Sequence, residues 1–599
     1  MTQVDLDDSQ RAAVEVDPDV RQLVIAGPGS GKTEVVSNLI QHLVEGAGVD
    51  EVDGILVISF SNAAVFAADA RLRVNGVGPV AVQTMDSLAS DIISDLWDDD
   101  PTGLGFDRRV ELATRLLRQE GWDRIDDLKH LVVDELQDVV GIRANFLLAL
   151  ISALPADSGF TLLGDPAQGI YDWQLRAENR PLSKTTSLEL LAQVQAIDHV
   201  QVKYLTGQYR ARSRDARRVV ELRESVLRWR SASPIEEFFA DLVVIPSIGD
   251  VVESAVRWSG TTAFLTANNG QALLTAGAIA DLGARVEIRR SAHQRVLAGW
   301  IARLLAESPT PGVTRDEIEA RANGLLPEVD PAVLWRALRS VTGGRGREVD
   351  IAALARGLRR SRPLVPDLIE PIGTPLVVST IHRAKGLEFD NVVYVDFPDK
   401  PWLVQDEDPY DEGEASRRLF VALSRARDVL IRADGPDDRR LRRLPSHADA
   451  PRHWYLGGRA EYMPFGFELR VDDLDWTEPP GEDWRATQSY IAESVELGDR
   501  LRMELDLERS TLRLPVWQML HGDHVVGRTS EAFGQSLVAR IRTIEKKHRG
   551  WPGLAGARVE SIATISGPTQ DASVGHYGLW LSPVCAGMLH IEWNGGSDV

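Results

Sequence analysis

The stretch AGPGSGKT has the residue types and spacing of a phosphate-binding loop. Its members are Ala26, Gly27, Pro28, Gly29, Ser30, Gly31, Lys32 and Thr33. Alternating glycines let the backbone turn tightly and direct its N–H groups at phosphate oxygens, although Ala26 replaces the first glycine of the strict pattern. Lys32 would bridge the terminal phosphates, and Thr33 would bind Mg²⁺. The loop therefore predicts nucleotide binding, which we favour over a plain glycine turn.

A second group of chemically active residues occurs in HLVVDELQDV, residues 130–139. An apolar run ends there in two adjacent carboxylates, Asp134 and Glu135. Asp134 could hold Mg²⁺ through water, and Glu135 could polarise the water that attacks the terminal phosphate. An acidic strand end at a solvated edge is the alternative, and it fits poorly with the apolar residues that precede the pair.

The elements that must position these groups can be predicted from the same stretches. QLVIA, residues 22–26, has the continuous apolar character of a buried parallel strand. KTEVVSNLIQHL, residues 32–43, has the pattern of a helix whose N-terminus would face the phosphates. The sequence thus predicts a strand, a phosphate-binding turn and a helix in succession.

Short motifs follow one another in an order that resembles superfamily 1 helicases of the UvrD/Rep type, from about Leu6 to about Ile431. The nucleotide-side motifs are LDDSQRAAV, LLGDPAQGIYDWQ, LTGQYRARS, TIHRAKGLEF and EASRRLFVALSRARDVL. The resemblance implies adenine contacts from Gln10 and Tyr209, a ribose contact from Glu388, and γ-phosphate contacts from Gln168, Arg210 and Arg425. It implies ATP and Mg²⁺ as cofactors and a catalytic set of Lys32, Glu135, Gln168, Arg210 and Arg425, with Thr33 and Asp134 at the metal.

The same resemblance implies a track for single-stranded or tailed DNA. The implied contact residues are Phe60, Asn62, Tyr171, Trp173, Thr380 and His382. A lone tryptophan usually packs in a core, but the place of Trp173 after the Asp165–Gln168 motif favours stacking on a base. The chain departs from the family at Ala63, usually lysine, at Met85–Asp86, usually Phe–His, and at Gln174, usually arginine. These departures lie on the DNA side, so they favour ATP hydrolysis over processive unwinding.

The predicted fold class is α/β, with two RecA-like parallel-sheet domains, reduced helical insertions and a C-terminal β-rich domain. We expect the first RecA-like domain at residues 1–206, with a small helical insertion at 87–128. The second RecA-like domain is expected at 207–292 and 373–440, with a helical insertion at 293–372 between its two parts. Residues 441–599 are expected to form a linker and a β-rich domain. The latter faintly resembles an OB-like or HIRAN-type module, and an interaction barrel is an equal alternative.

Composition limits the remaining classes of function. The chain has 599 residues, 43% of them hydrophobic and 26% charged, which is typical of globular proteins with several domains. Its only cysteine, Cys585, excludes an intramolecular disulfide and a cysteine-based zinc cluster. A net charge of −22 argues against general nucleic-acid binding outside local basic patches. We found no membrane-spanning run or signal pattern, so we expect a cytoplasmic protein without membrane partners.

Two functions of different classes remain open. The first is an ATP-dependent single-stranded-DNA translocase or helicase, moving 3′ to 5′ as the family mostly does, in DNA repair, recombination or defence. The second is an ATP-gated DNA-binding or signalling subunit that recruits a protein partner through its C-terminal domain without processive unwinding.

Overall fold

The structure is a computed structural model, and it describes residues 5–59, 80–99, 103–176, 183–228, 234–289, 296–306, 308, 310–343, 347–359, 364–370, 374–397, 412–444, 453–458, 464–511, 514–541, 551–569 and 574–592. The chain divides into two compact units. The first comprises Met1–Val244, Ala384–Tyr394 and Val404–Arg432, and the second comprises Ile245–Arg383, Val395–Leu403 and Ala433–Val599. No helix of the described residues is long and apolar enough to cross a membrane.

A six-stranded sheet forms the centre of the first unit. Its strands are β1 (Arg21–Ala26), β2 (Ile55–Ser59), β3 (Ala81–Thr84), β4 (His130–Val133), β5 (Gly159–Gly164) and β6 (Gln201–Leu205). They lie in the order β3-β2-β4-β5-β1-β6, and every pair is parallel. The carboxyl ends of all six strands therefore meet at one edge, where ligands of open parallel sheets bind.

Both faces of this sheet are covered, which explains why its strands are apolar throughout rather than alternating. Leu23 and Ile25 pack into one hydrophobic cluster, and their neighbours Val24 and Ala26 pack into another on the opposite face. The flanking helices of the unit are Asp8–Val14, Lys32–Gln41, Met85–Leu96, Phe106–Gln119, Ile142–Ala153, Ser187–Gln195, Arg214–Glu221, Arg223–Leu227, Pro234–Asp241 and Glu412–Leu423. Helices Met85–Leu96 and Phe106–Gln119 occupy most of the region where a small helical insertion is predicted.

The second unit contains another parallel sheet segment and a helical region. Strand Leu376–Thr380 pairs in parallel with strands Thr262–Thr266 and Glu287–Ile288, which confirms the predicted second parallel sheet. Helix Asn269–Asp281 follows the first of these strands in the chain. The helical region comprises Trp300–Leu305, Arg315–Leu325, Pro331–Thr342 and Ile351–Arg359, with the short antiparallel pair Gly312–Thr314 and Glu348–Asp350.

The C-terminal part of the second unit is an antiparallel sheet, as the predicted fold class requires. Its described strands are, in chain order, Leu441–Arg443, Trp454–Leu456, Gly466–Leu469, Arg500–Leu505, Trp517–His521, His524–Arg528, Gly553–Ser566, Leu579–Cys585 and Gly587–Glu592. The helical region packs on the longest strand, where the Thr564 hydroxyl donates to Ala298 O (2.7 Å) and accepts from Ala302 N (3.0 Å). The two segments thus share hydrogen bonds within one unit.

Candidate active site

The phosphate-binding loop lies at the carboxyl end of β1, and helix Lys32–Gln41 begins directly after it. Gly31 caps this helix in the left-handed conformation, with φ of 85°, and Gly29 has φ of 73°. A Cβ on Gly29 would lie 2.5 Å from Gln208 Oε1, so space as well as conformation requires glycine there. The Lys32 ammonium folds over the loop and donates to Ala26 O at 3.3 Å. The loop therefore has the shape that the sequence predicts.

The paired carboxylates lie at the end of β4, beside the loop. Glu135 adopts a left-handed conformation with φ of 57°, and its Oε2 lies 3.9 Å from Lys32 Nζ and accepts from Gln137 Nε2. Burial and the neighbouring charge of Glu135 raise the pKa of Asp134. Burial would also raise the pKa of Glu135, but the positive charges of Lys32 and Lys385 outweigh it and lower that pKa. A cation beside the half-buried Asp134 would therefore stabilise its charged form.

A chain of hydrogen bonds joins the ends of β4 and β5 to a distant arginine. The Asp165 backbone N–H donates to Gln137 Oε1 at 2.8 Å, and Gln168 Nε2 donates to Asp165 Oδ2 at 2.8 Å. The Arg425 guanidinium donates to Gln168 Oε1 at 2.6 Å. On the other side, Arg223 Nε donates to Asp165 Oδ1 at 2.8 Å. Gln168 is therefore held between an acid and an arginine.

Two predicted phosphate-binding arginines lie close together in the first unit. Arg210 donates to Glu388 Oε1 at 2.5 Å, and Arg427 donates to Glu388 Oε2 at 2.7 Å. Arg425 is fully buried and donates to Ser424 Oγ at 3.1 Å. Burial and the nearby charge of Arg210 lower the pKa of Arg425. Like charges at short range favour an anion between or beside them.

The residues predicted to read adenine, Gln10 and Tyr209, both form hydrogen bonds with the loop. Gln10 Nε2 donates to Ser30 O at 3.0 Å, and its backbone N–H donates to Asp7 Oδ1 at 2.8 Å, as part of a capping box on helix Asp8–Val14. The Tyr209 hydroxyl donates to Asp7 Oδ2 at 2.5 Å, and the Tyr209 backbone N–H donates to Gly29 O at 2.8 Å. Tyr209 itself is exposed, so its ring is accessible to a base.

A buried lysine connects this site to one of the predicted DNA contacts. Lys385 forms an ion pair with Asp138 and donates to Gln168 O. Its ammonium lies 5.1 Å from the centroid of the Tyr171 ring, within range of a cation–π interaction. Burial raises the pKa of Asp138 to about 7. Tyr171 is therefore one contact away from the residues around the predicted γ-phosphate position.

The other predicted DNA contacts are placed as follows. Trp173 has 47% of its surface exposed, so the alternative in which it belongs to the core is wrong. Thr380 ends strand Leu376–Thr380 in the second unit, where its hydroxyl accepts from Arg383 N at 3.3 Å, and His382 is half-buried. Phe60 and Asn62 lie outside the described residues.

One departure from the family has a structural explanation. Asp86 accepts two hydrogen bonds from Arg143, at 2.7 Å and 3.2 Å, and Arg143 also donates to Asp107 at 3.2 Å. Met85 is buried in the hydrophobic core of the first unit. The Asp86–Arg143 pair thus joins helix Met85–Leu96 to helix Ile142–Ala153. Another departure, Ala63, lies outside the described residues.

Two residues at the site were missed by the sequence analysis. Gln208 donates to Pro28 O at 2.9 Å and accepts from the Arg210 N–H at 2.7 Å, so it joins the loop to the arginine segment. Arg223 lies against the loop, since a Cβ on Gly27 would be 3.3 Å from Arg223 Cδ. The QYR triplet was a signal for Gln208, whereas Arg223 lies in a charged helix without any distinguishing pattern.

Comparison with protein-family models finds two matching segments in the chain. A model of the AAA domain family matches residues 10–174, and a model of the UvrD-like helicase C-terminal domain matches residues 375–431. The two matched segments together are similar to a UvrD-like helicase of superfamily 1. These two domains indicate an ATP-dependent helicase.

Two further comparisons complete the description of the helicase. Among solved structures it is similar to Pif1 helicase from Candida albicans, with 14% sequence identity and a TM-score of 0.34. That match covers 72% of this chain and 94% of the Pif1 chain. No curated protein matches the helicase by sequence.

Proposed function

We propose that the helicase is a motor that moves 3′ to 5′ along single-stranded DNA at the expense of ATP. One observation supports this most directly: Arg210 and Arg425 approach the edge of the sheet that carries Lys32, Glu135 and Gln168. The two arginines come from chain segments far from the loop, yet Arg425 reaches Gln168 at 2.6 Å. A nucleotide at the loop would have cationic groups on several sides of its terminal phosphate.

The residues present fit Mg²⁺ as a cofactor. Asp134 is half-buried and has a raised pKa, and a neighbouring cation stabilises the charged form of such a carboxylate. The described residues contain no group of three or more His, Cys, Asp or Glu side chains that could hold a metal ion. Mg²⁺ usually takes only one or two protein ligands beside phosphates and water, so Thr33 and Asp134 would suffice. Bound Mg²⁺ would supply charge stabilisation at the phosphates.

In this proposal, each side chain has a separate task in hydrolysis. Glu135 is kept ionised by its cationic neighbours, which suits a group that accepts a proton from the attacking water. Gln168 orients that water, because its amide is fixed from both sides. Arg210 and Arg425 stabilise the charge that develops on the transferred phosphoryl group.

We further propose that Tyr171 and Trp173 stack on bases of the strand, together with contacts from Phe60, Asn62, Thr380 and His382. The Lys385–Tyr171 contact supports coupling, since Lys385 also contacts the carbonyl of Gln168. A tailed duplex would then serve as substrate for strand displacement in DNA repair, recombination or defence in the cytoplasm. The C-terminal sheet would provide the surface for a protein partner.

The test is steady-state ATP hydrolysis by the purified chain, with and without single-stranded DNA. We expect DNA to stimulate turnover, Lys32→Ala to abolish nucleotide binding or turnover, and Glu135→Gln to bind nucleotide without hydrolysing it. Normal turnover in either variant would disprove the assigned site. Strand displacement on duplexes with a 3′ or a 5′ tail then tests polarity, and preference for the 5′ tail would reverse the proposed direction.

An ATP-gated DNA-binding subunit is the second candidate, and the Asp86–Arg143 pair favours it. At Met85–Asp86 the family usually carries a Phe–His pair that lies beside the DNA. Here Asp86 binds Arg143 within the fold, so this position does not offer the usual DNA contact. DNA-stimulated hydrolysis without displacement of either tailed duplex would support this candidate over the motor.

A further inference from the structure

A cleft in the second unit has the chemistry of an anion-binding site. It has a volume of about 300 Å³ and is lined by side chains from helix Asn269–Asp281, the segment around Arg383, and strands of the C-terminal sheet. Its charged and aromatic lining residues are Arg383, Arg443, Arg470, Glu468 and Trp454. Three arginines against one glutamate leave a formal excess of two positive charges, in a chain whose net charge is −22. We call it the arginine cleft.

The floor of the arginine cleft is built by side chains held in place. Glu468 is buried and accepts from the Trp454 backbone N–H at 2.8 Å and from Arg470 at 2.8 Å. A Cβ on Gly270 would lie 2.6 Å from the Trp454 ring, so helix Asn269–Asp281 packs directly on that ring. The cleft is therefore a fixed feature of the fold and not a gap between loose surface side chains.

The guanidinium groups of Arg383 and Arg470 both interact with groups around the cleft. Arg383 donates to Arg289 O at 2.7 Å, and burial lowers the pKa of Arg383. The charge of Arg470 acts in the same direction, and Glu468 acts against both. Glu468 thus faces both arginines, and Asp472 and Asp473 add negative charge beside Arg470. A bound anion would stabilise the charged form of the partly desolvated Arg383.

Arg443 completes the opening of the cleft. It lies directly across from Trp454 in the antiparallel pair of strands Leu441–Arg443 and Trp454–Leu456. Its guanidinium lies 5.8 Å from the Trp454 ring centroid, within cation–π range. Arg443 is exposed, so a ligand can reach it from solvent.

We propose that the arginine cleft binds a phosphate of a nucleic-acid strand. The cleft is large enough for a nucleotide-sized group, and arginine is the side chain best suited to phosphate oxygens. None of the cleft residues beyond Arg383 belongs to a helicase motif, so this contact would be additional to the motif track. The choice of a strand as ligand rests on the proposed function, whereas the phosphate chemistry does not.

The experiment measures binding of a fluorescent single-stranded oligothymidylate by anisotropy, without nucleotide and over a series of salt concentrations. We expect Arg443→Ala to raise Kd about tenfold and to lower the slope of log Kd against log salt by about 0.7. Arg443 is exposed, and its removal leaves the Glu468–Arg470 pair intact, so the variant should fold. Arg502→Ala is the matched control, because Arg502 is an exposed arginine of the same sheet, paired with Glu504 and outside the cleft.

Equal affinity and equal salt slope for the wild type and Arg443→Ala would overturn the proposal of a strand. Thermal unfolding measured with inorganic phosphate and with a mononucleotide shows whether the bound phosphate belongs to a strand or to a small molecule. If these small ligands stabilise the wild type but not Arg443→Ala, and the affinity for the oligothymidylate is the same in both, the cleft binds a free phosphate ester. That result would overturn the proposal that it binds a nucleic-acid strand. DNA stimulation of ATP hydrolysis is measured in the same preparations, and its absence in the wild type would count against the proposed motor and not against the cleft.

Discussion

The Arg425 guanidinium donates a 2.6 Å hydrogen bond to the Gln168 side-chain carbonyl, although 257 residues separate the two in sequence. The Gln168 amide nitrogen donates to Asp165 at 2.8 Å. Because Gln168 has one acceptor and one donor group engaged, its orientation is fixed in both directions. A change in the position of Arg425 would therefore change the orientation of the Gln168 side chain.

From this contact we predict that Gln168→Ala lowers kcat for ATP hydrolysis by about a hundredfold, as expected for loss of a group that positions or stabilises the reacting atoms. Nucleotide affinity should change little, because the side-chain hydrogen bonds of Gln168 among the described residues go to Asp165 and Arg425 and not to the phosphate-binding loop. Steady-state kinetics and nucleotide binding measure the two effects. Gln193→Ala, at an exposed position of helix Ser187–Gln195, is the control. A fall in nucleotide affinity with unchanged kcat would show that Gln168 binds the nucleotide and does not act in hydrolysis.

Trp173→Ala should weaken binding of single-stranded DNA by about 1–3 kcal/mol, the usual range for one base stacked on an aromatic side chain. Since 47% of the Trp173 surface is exposed, the melting temperature should change little. Trp97→Ala is a matched control, because 38% of the Trp97 surface is exposed in another part of the unit. If both variants bind DNA as tightly as the wild type does, Trp173 does not stack on a base of the strand.

The main features of the nucleotide site could be predicted because they are local. The loop, the paired carboxylates and Gln168 each follow a strand directly, and all parallel strands end at one edge. Sequence alone therefore places Lys32, Glu135 and Gln168 together once the sheet is assumed.

Pairings between distant segments could not be predicted in the same way. The contact of Arg223 with Asp165 and that of Arg143 with Asp86 depend on how helices pack on the sheet. Arginines on charged helices look alike in sequence, because most of them face solvent. The arginine cleft was missed for the same reason, since its charged and aromatic residues come from four separate stretches of the chain.

Lys385→Met should destabilise the protein by roughly 3–5 kcal/mol, because it leaves Asp138 buried without its ion-pair partner. Both side chains are almost completely buried, with 4% and 5% of their surface exposed. The double variant Lys385→Met/Asp138→Leu should recover most of that loss, since no uncompensated charge remains. Chemical denaturation measures all three proteins.

The control for this prediction is Lys129→Met, which breaks the exposed Lys129–Asp157 pair. We expect it to cost less than about 1 kcal/mol, because solvent screens exposed pairs. A double variant no more stable than Lys385→Met would mean that Lys385 acts through contacts other than Asp138.

Acid should destabilise the first unit through His130, the first residue of β4. His130 is fully buried, with Nδ1 2.8 Å from Pro18 O and Nε2 2.9 Å from Thr161 Oγ1. Gln22 donates to Thr161 Oγ1 at 2.8 Å, which leaves the Thr161 hydroxyl to donate to Nε2. Such an arrangement suits a neutral imidazole, and burial lowers the pKa of His130 to about 4.

The sign of the pH effect follows from this shift. An unfolded histidine has a pKa of about 6.5, so the unfolded chain takes up the proton first as the pH falls. The stability that neutral His130 contributes is present above pH about 6.5 and is lost progressively towards pH about 4, by roughly 3 kcal/mol in total. The free energy of unfolding, measured with denaturant across this range, should fall more steeply with acid in the wild type than in His130→Asn. The exposed His199→Asn variant should retain the wild-type slope, and a parallel slope in His130→Asn would show that other groups cause the acid sensitivity.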